Sequence, residues 1–297
     1  MAVDRLHSLV ATGQFLAAYR EVERLTLDPE LDPALRAQVF ILGVRAAAGL
    51  RDIYAAVKMA DKAIEAAELG SNWEDIGNAR LHSALIYREV GDTAQALRFF
   101  HLFFQHLDRY PALQSKTAHA YYNKGLTHQQ RREFPEALES YRLAAEDFTL
   151  IANHSGVLAS LQNSAWVMLL QGKPREAEPF LLQAENLAAQ LEIPEYQVTQ
   201  LVVQAFYERQ LQHPERTTAL CEEVFQSGRQ GATDRHRAAA AWIMADLALE
   251  AHRVHEAGIF ADWAITHALE AKDPHLMNLA SEVRQRVRAK KSEFQLG

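Results

Sequence analysis

The sequence predicts an all-α fold of about seven helix pairs followed by one C-terminal capping helix. The main observation is a small residue that recurs at steps of 38 to 41 positions. The series is Ala18, Ala56, Ala96, Ala137, Ala177, Thr217 and Ala257. The chain has only 9 prolines and 13 glycines in 297 residues, which also favours helix. A period near 40 residues is typical of stacked helix pairs, so we expect a right-handed α-solenoid.

Each pair is predicted to have a break between its two helices, shortly before the small residue. The clearest examples are the segments that begin at Gly91 and Gly172, which are followed five residues later by Ala96 and Ala177. Glycine supplies the left-handed backbone with which helices often end. The predicted breaks, in order, are near Gly13, Arg51, Gly91, Arg132, Gly172, Gln212 and His252.

Prolines support the same register independently, because proline is tolerated in the first turn of a helix. Pro135, Pro174 and Pro214 are predicted to lie in the first turns of second helices. Starts of first helices are expected at Ser115, Ser155, Pro194, Asp234 and Pro274, with Asp234 as an N-cap. The last helix, from Pro274 to about residue 291, would cover the final pair with Leu276, Leu279, Val283 and Val287.

The clearest unit runs from Ser115 to Ile151 and contains the phrase REFPEALESYRLAA. Its first helix has Tyr121 and Gly125 on one face, and its second has Ala137 and Tyr141. This pattern of aromatic and small residues resembles the tetratricopeptide repeat. The resemblance covers roughly residues 2–271, which we expect to form a single domain, with the capping helix and tail at 272–297.

The units are near 40 residues long, whereas the usual tetratricopeptide unit has about 34. That length is similar to the helical repeats of bacterial regulators, including peptide-pheromone receptors. The resemblance implies that first helices line a concave groove that binds a partner. The expected groove residues are Asn78, His82, Arg88, His119, Tyr122, Asn123, Gln130, Gln162, Asn163, Trp166, Thr199, Phe206, Arg209, Trp242 and Asp246.

Two sets of these residues repeat with the period of the chain. Asn123 and Asn163 are 40 positions apart, and an amide can bind a peptide backbone through both its donor and its acceptor. In the pheromone receptors asparagines hold the peptide in this way; the alternative is ordinary polar surface. Trp166, Phe206 and Trp242 are expected to form an apolar strip, with packing between helices as the alternative.

Composition narrows the class of protein. The net charge of −7 argues against nucleic acid as the main partner. A single cysteine, Cys221, permits no intrachain disulfide, and neither a secretory signal nor a long apolar span is visible, so we expect a cytoplasmic protein that does not bind a membrane. No phosphate loop, zinc motif or nucleophile motif is found, so no catalytic residue, metal or cofactor is expected.

The sequence therefore predicts a protein- or peptide-binding scaffold in regulation or complex assembly, rather than an enzyme. Two other functions remain open at this stage. One is a structural protein that associates with itself, for example as a homodimer, with no ligand in the groove. The other is a sensor of a peptide or small ligand, related to the bacterial regulators.

Overall fold

The protein is all-α, as the sequence predicts. The computed structural model describes residues 2–228 and 231–296, with side chains from residue 3 to residue 292 apart from that gap. Within these residues there are fifteen α-helices and two short 3-10 helices, and no strand. Seven helix pairs and one last helix account for all fifteen, which confirms the predicted count.

The helices alternate between first and second members of each pair. The first helices are α1 (Ala2–Ala11), α3 (Pro33–Gly49), α5 (Trp73–Glu89), α7 (Thr117–Gln130), α9 (His154–Leu170), α11 (Pro194–Gln210) and α13 (Asp234–Glu250). The second helices are α2 (Phe15–Thr26), α4 (Ile53–Gly70), α6 (Thr93–Gln105), α8 (Phe134–Leu150), α10 (Pro174–Leu191), α12 (Pro214–Gln226) and α14 (Val254–Ala271). The last helix is α15 (Pro274–Leu296), and the 3-10 helices Leu107–Arg109 and Pro111–Lys116 precede α7.

Every predicted break within a pair is a turn with a left-handed residue. The φ angles are +72° at Gly13, +60° at Arg51, +84° at Gly91, +59° at Arg132, +70° at Gly172, +61° at Gln212 and +58° at His252. A left-handed residue after a helix lets backbone N–H groups reach the last free carbonyls, and it reverses the chain direction. The same turn is thus used seven times, with glycine at only three of the positions.

The recurring small residues explain how closely the paired helices approach. All seven, from Ala18 to Ala257, are 0% exposed. They lie in the first turns of the second helices, where a larger side chain would separate the helix from its partner. The period of the sequence is therefore a period of close helix contact.

Two predicted helix starts differ in detail from the structure. Residues around Ser115 form a 3-10 helix, and α7 begins at Thr117. The N-cap of α13 is Thr233 rather than Asp234, because the His236 side chain accepts a bond from the Thr233 N–H and completes a capping box. Asp234 is instead the first residue of the helix, where its charge suits the positive end of the helix dipole.

The chain divides into two compact units, residues 1–131 and 132–297. In unit 1, α3 packs on α4 and α5, and α5 packs on α6 and α7. In unit 2, each first helix from α9 to α13 packs on its own second helix and on the next first helix. The single domain from 1 to 271 stays a prediction.

The last helix covers the end of unit 2. α15 packs on α13 and α14, and the exposures of Leu276, Leu279, Val283 and Val287 range from 0% to 6%. Val283 and Val287 join the alanines of α13 and α14 in one apolar cluster. These contacts are those expected of a cap.

Candidate ligand-binding site

Three aromatic residues from successive first helices of unit 2 meet in one cluster. The ring centroids of Trp166 and Phe206 are 4.9 Å apart, and those of Phe206 and Trp242 are also 4.9 Å apart. Trp166 and Trp242 are separated by 5.9 Å. Trp166 is only 7% exposed and Phe206 only 6%, so both belong mainly to the packing between helices. The half-buried Trp242 carries the cluster toward the surface.

A cavity of about 400 Å³ lies beside this cluster. Its walls come from the ends of α9 and α11, the middle of α13, the first half of α15 and the turn before α8. The lining residues are Arg132, Phe134, Leu169, Leu170, Phe206, Arg209, Gln210, Trp242, Asp246, His275, Leu279 and Glu282. Half of them are apolar and half are polar, which is the usual composition of a pocket that binds and orients a ligand.

A chain of ion pairs fixes the polar wall. Arg209 contacts Asp246 at 2.5 Å and Glu250 at 2.5 Å, and Asp246 also contacts Arg286 at 2.5 Å. The side chains of Arg209 and Asp246 are only 13% and 14% exposed. The Nε atom of Arg209 is buried and has no partner among the described atoms. Charges that are shielded from water keep most of their strength, so this wall is electrostatically active toward a ligand.

His275 brings an unpaired nitrogen to the cavity. Its side chain is 8% exposed, and its Nε2 atom is buried without a hydrogen-bond partner among the described residues. Burial lowers the pKa of His275 to about 4, so the imidazole is neutral near pH 7. A buried polar atom without a partner loses free energy that a suitable ligand group restores.

An ion pair between Arg132 and Glu282 joins two walls of the cavity. These residues are 150 positions apart in sequence. Their side chains are 54% and 55% exposed, so the pair is worth at most about 1 kcal/mol. The cavity can therefore open at this point at little cost in free energy.

Four of the predicted groove residues, Phe206, Arg209, Trp242 and Asp246, line this cavity together. Two others are used within the protein. Gln162 is 2% exposed and donates to the carbonyl of Tyr196 at 3.0 Å, which corrects the expectation that it faces a partner. Thr199 contacts the His236 ring at 2.8 Å and so links α11 to α13.

The two repeated asparagines have the same local conformation. The amide of Asn123 donates to the carbonyl of His119 at 2.8 Å, and that of Asn163 donates to Ala159 at 2.8 Å. Each bond spans four residues within one helix. One N–H of each amide is thereby used within its own helix in the free protein.

The remaining predicted residues belong to unit 1. His119 is exposed, whereas Asn78, His82, Arg88, Tyr122 and Gln130 are half-buried. Asn78 accepts a hydrogen bond from the Nζ of Lys116 at 2.6 Å. Burial lowers the pKa of His119, and burial, followed by the charges of Lys116 and Arg45, lowers that of His82 to about 4.

Sequence reasoning missed the residues that α15 and the α7–α8 turn contribute to the cavity. A signal for α15 was present, because the lattice of helix starts at Pro194, Asp234 and Pro274 continues into it. Glu282 and Arg286 lie 40 positions after Trp242 and Asp246, so they are repeat-equivalent to predicted groove residues. Treating α15 only as a cap hid this equivalence.

Metal and membrane features were also searched. In residues 2–228 and 231–296, no three His, Cys, Asp or Glu side chains lie close enough together to hold a metal ion. None of the described helices combines the length and the apolar character that crossing a membrane requires. Cys221 is buried, and burial raises the pKa of its thiol to about 12, so the reactive thiolate is suppressed.

Comparison with known proteins agrees with this architecture. The family model of the tetratricopeptide repeat matches residues 116–190. A search of curated proteins found no significant match. The match contains the unit in which the repeat pattern is clearest, and it confirms the recognition of tetratricopeptide-like helical repeats.

Solved structures with similar folds extend over nearly the whole chain. NprR in complex with its cognate peptide NprX has a TM-score of 0.71 at 15% identity, covering 96% of this chain and 84% of that one. A Rap protein complexed with competence and sporulation factor has a TM-score of 0.65 at 12% identity, covering 98% and 86%. The apo form of RapI has a TM-score of 0.64 at 14% identity, covering 98% of both chains. At these identities the likeness shows the fold: this chain is a tetratricopeptide-like helical-repeat protein.

Proposed function

We propose that the protein is a peptide- or protein-binding scaffold that acts in regulation or complex assembly, and that unit 2 anchors the ligand in the cavity between α9, α11, α13 and α15. The observation that carries this proposal is the cavity itself. It combines an apolar wall at Trp242 and Leu279 with a buried ion-pair wall and the unpaired Nε2 of His275. The fold also supports it, since two proteins of similar fold are described in complex with a peptide or a signalling factor.

The chemistry of the cavity favours one kind of ligand group. A volume of about 400 Å³ accommodates an aromatic or large aliphatic side chain. The rings of Phe206 and Trp242 would pack against it, and His275 and Arg209 would bind a polar atom at its end. Asn163, on the preceding first helix, would offer its amide oxygen to the backbone of a bound segment.

Self-association through an end of the array is the competing function, and a peptide selection distinguishes the two. Peptides selected from a random library on the intact protein should bind with micromolar or better affinity, and binding should change the fluorescence of Trp242. Leu170→Trp places a large ring at the half-buried cavity wall and should weaken that binding at least tenfold. Leu182→Trp is the matched control, since Leu182 is 54% exposed on α10 and does not line the cavity.

The outcomes are distinct. If the selected peptides bind Leu170→Trp as tightly as the original protein, the cavity is not the anchor. If no peptide is selected and sedimentation shows a stable dimer, self-association is the better description. Equal melting temperatures of the two variants guard against a simple loss of folding.

A further inference from the structure

A second cluster of polar groups lies in unit 1, on the first helices α3 and α5 and the 3-10 helix before α7. Asn78 and His82 are four residues apart on α5 and so share one face of that helix. Lys116, the last residue of the 3-10 helix, reaches this face and donates to Asn78 Oδ1 at 2.6 Å. Arg45 belongs to the neighbouring helix α3, which packs on α5.

The charge of this cluster is one-sided. Within the described residues, neither Arg45 nor Lys116 takes part in an ion pair, and the one hydrogen-bond partner described for the Lys116 ammonium is the neutral amide of Asn78. Burial and the charge of Arg45 lower the pKa of Lys116, and none of the described charges that act on Lys116 or His82 is negative. This is unusual in a chain whose net charge is −7.

The position of Lys116 adds to the imbalance. Lys116 is the N-cap residue of α7, and its side chain makes no capping bond. The N-terminus of a helix carries a partial positive charge, so an ammonium group there is unfavourable and an anion is favourable. Two fixed cations and the end of a helix dipole therefore meet where the free protein supplies no counter-charge.

We propose that Arg45, Asn78, His82 and Lys116 form a binding site for an oxyanion, either a carboxylate or a phosphoryl group of a ligand. The Arg45 guanidinium would hold two oxygens of the anion, and the Lys116 ammonium would neutralise its charge. Asn78 and His82 would donate from the α5 side. The site consists of unit 1 residues only and does not depend on the proposed cavity in unit 2.

Two small anions test the site on the intact protein and distinguish the sources of the oxyanion. Inorganic phosphate and succinate are titrated separately at constant ionic strength maintained with NaCl, and the amide NMR signals of residues 78 and 116–119 are followed. We expect saturable shifts with one or both anions at millimolar concentration. A response to phosphate alone assigns a phosphoryl ligand, and a response to succinate alone assigns a carboxylate.

Three variants connect the binding to the named residues. Lys116→Gln and Arg45→Gln should each weaken anion binding at least tenfold. Lys58→Gln removes an exposed lysine of α4 in the same unit and should leave binding unchanged. Equal weakening by Lys58→Gln, or shifts that do not saturate with either anion, would overturn the proposal.

A stability measurement separates binding from a structural role. If the cluster exists for an anion, removing one cation relieves repulsion in the free protein, so Lys116→Gln should melt at the same temperature as the original protein or at a higher one. A clearly lower melting temperature without anion would show that Lys116 supports the fold instead. Because no peptide is used, a negative result here leaves the unit 2 cavity untouched.

Discussion

The two most completely enclosed histidines of unit 2 connect packing with pH. His236 is 7% exposed and bonds to Thr199 and Thr233, and His275 is 8% exposed at the cavity. Burial lowers the pKa of each to about 4, well below the ordinary value of 6.5. The folded protein therefore resists protonation that the unfolded chain accepts.

Stability should consequently fall on acidification from pH 6.5 to pH 4. In this window the unfolded state binds more protons than the folded state, so the free energy of unfolding decreases as pH decreases. Each histidine should remove about 2 kcal/mol between pH 7 and pH 5. Urea unfolding over this range measures the slope, which His236→Asn or His275→Gln should make shallower. A slope that matches that of the control His101→Gln would contradict the assignment.

The candidate site was predictable residue by residue only in part. Arg209, Trp242 and Asp246 were found because helical register places them on the exposed side of first helices. Gln162 was misplaced because a rotation of about one position turns it into α11, and periodicity does not resolve so small an angle. Arg132 and Glu282 were missed because their contact joins positions 150 residues apart, which no local pattern reveals.

At the scale of elements, the turn within each pair is the best-predicted feature. The period, the glycines and the prolines all pointed to it, and the left-handed residue occurs at each predicted break. The details of helix starts were harder to predict, because Thr233 and Asp234 are both good N-caps and the choice depends on the His236 ring.

This turn should respond to substitution through the backbone alone. Gly91 has φ of +84°, and a Cβ there would meet nothing within 4 Å. Gly91→Ala should therefore lower the free energy of unfolding by about 1 kcal/mol, the strain of a left-handed alanine. Gln212→Gly, at the equivalent turn with φ of +61°, should act in the opposite direction by about 0.5–1 kcal/mol.

Chemical unfolding of both variants measures these effects. Lys58→Ala, a change on the exposed surface of a helix, is a suitable reference and should change stability by less than about 0.5 kcal/mol. If Gly91→Ala is as neutral as the reference, the strain assigned to the turn is absent.

At the scale of the whole molecule, α15 both completes a core and builds a site. Val283 is 1% exposed among the alanines of α13 and α14, while His275, Leu279 and Glu282 of the same helix line the cavity. Truncation after Lys272 should therefore expose the last apolar surface and remove a cavity wall. We expect an aggregating or partly melted protein.

A point substitution tests the same helix without shortening the chain. Val283→Asp buries a carboxylate among apolar groups, which typically costs several kcal/mol, so the melting temperature should fall by about 10 °C. Gln285→Asp, on the exposed side of α15, is the matched control. A truncated chain that stays monomeric and equally heat-stable would mean that α15 is not a cap.

The packing of each unit also bears on how the chain is made. Within the described residues, a helix packs mainly on helices one or two places away in sequence. As synthesis proceeds from the N-terminus, each new pair of about 40 residues finds a completed apolar face on which to stack, so little of the chain has to wait for distant segments. The Arg132–Glu282 contact is an exception that forms only after α15 has emerged, so the unit 2 cavity is finished last.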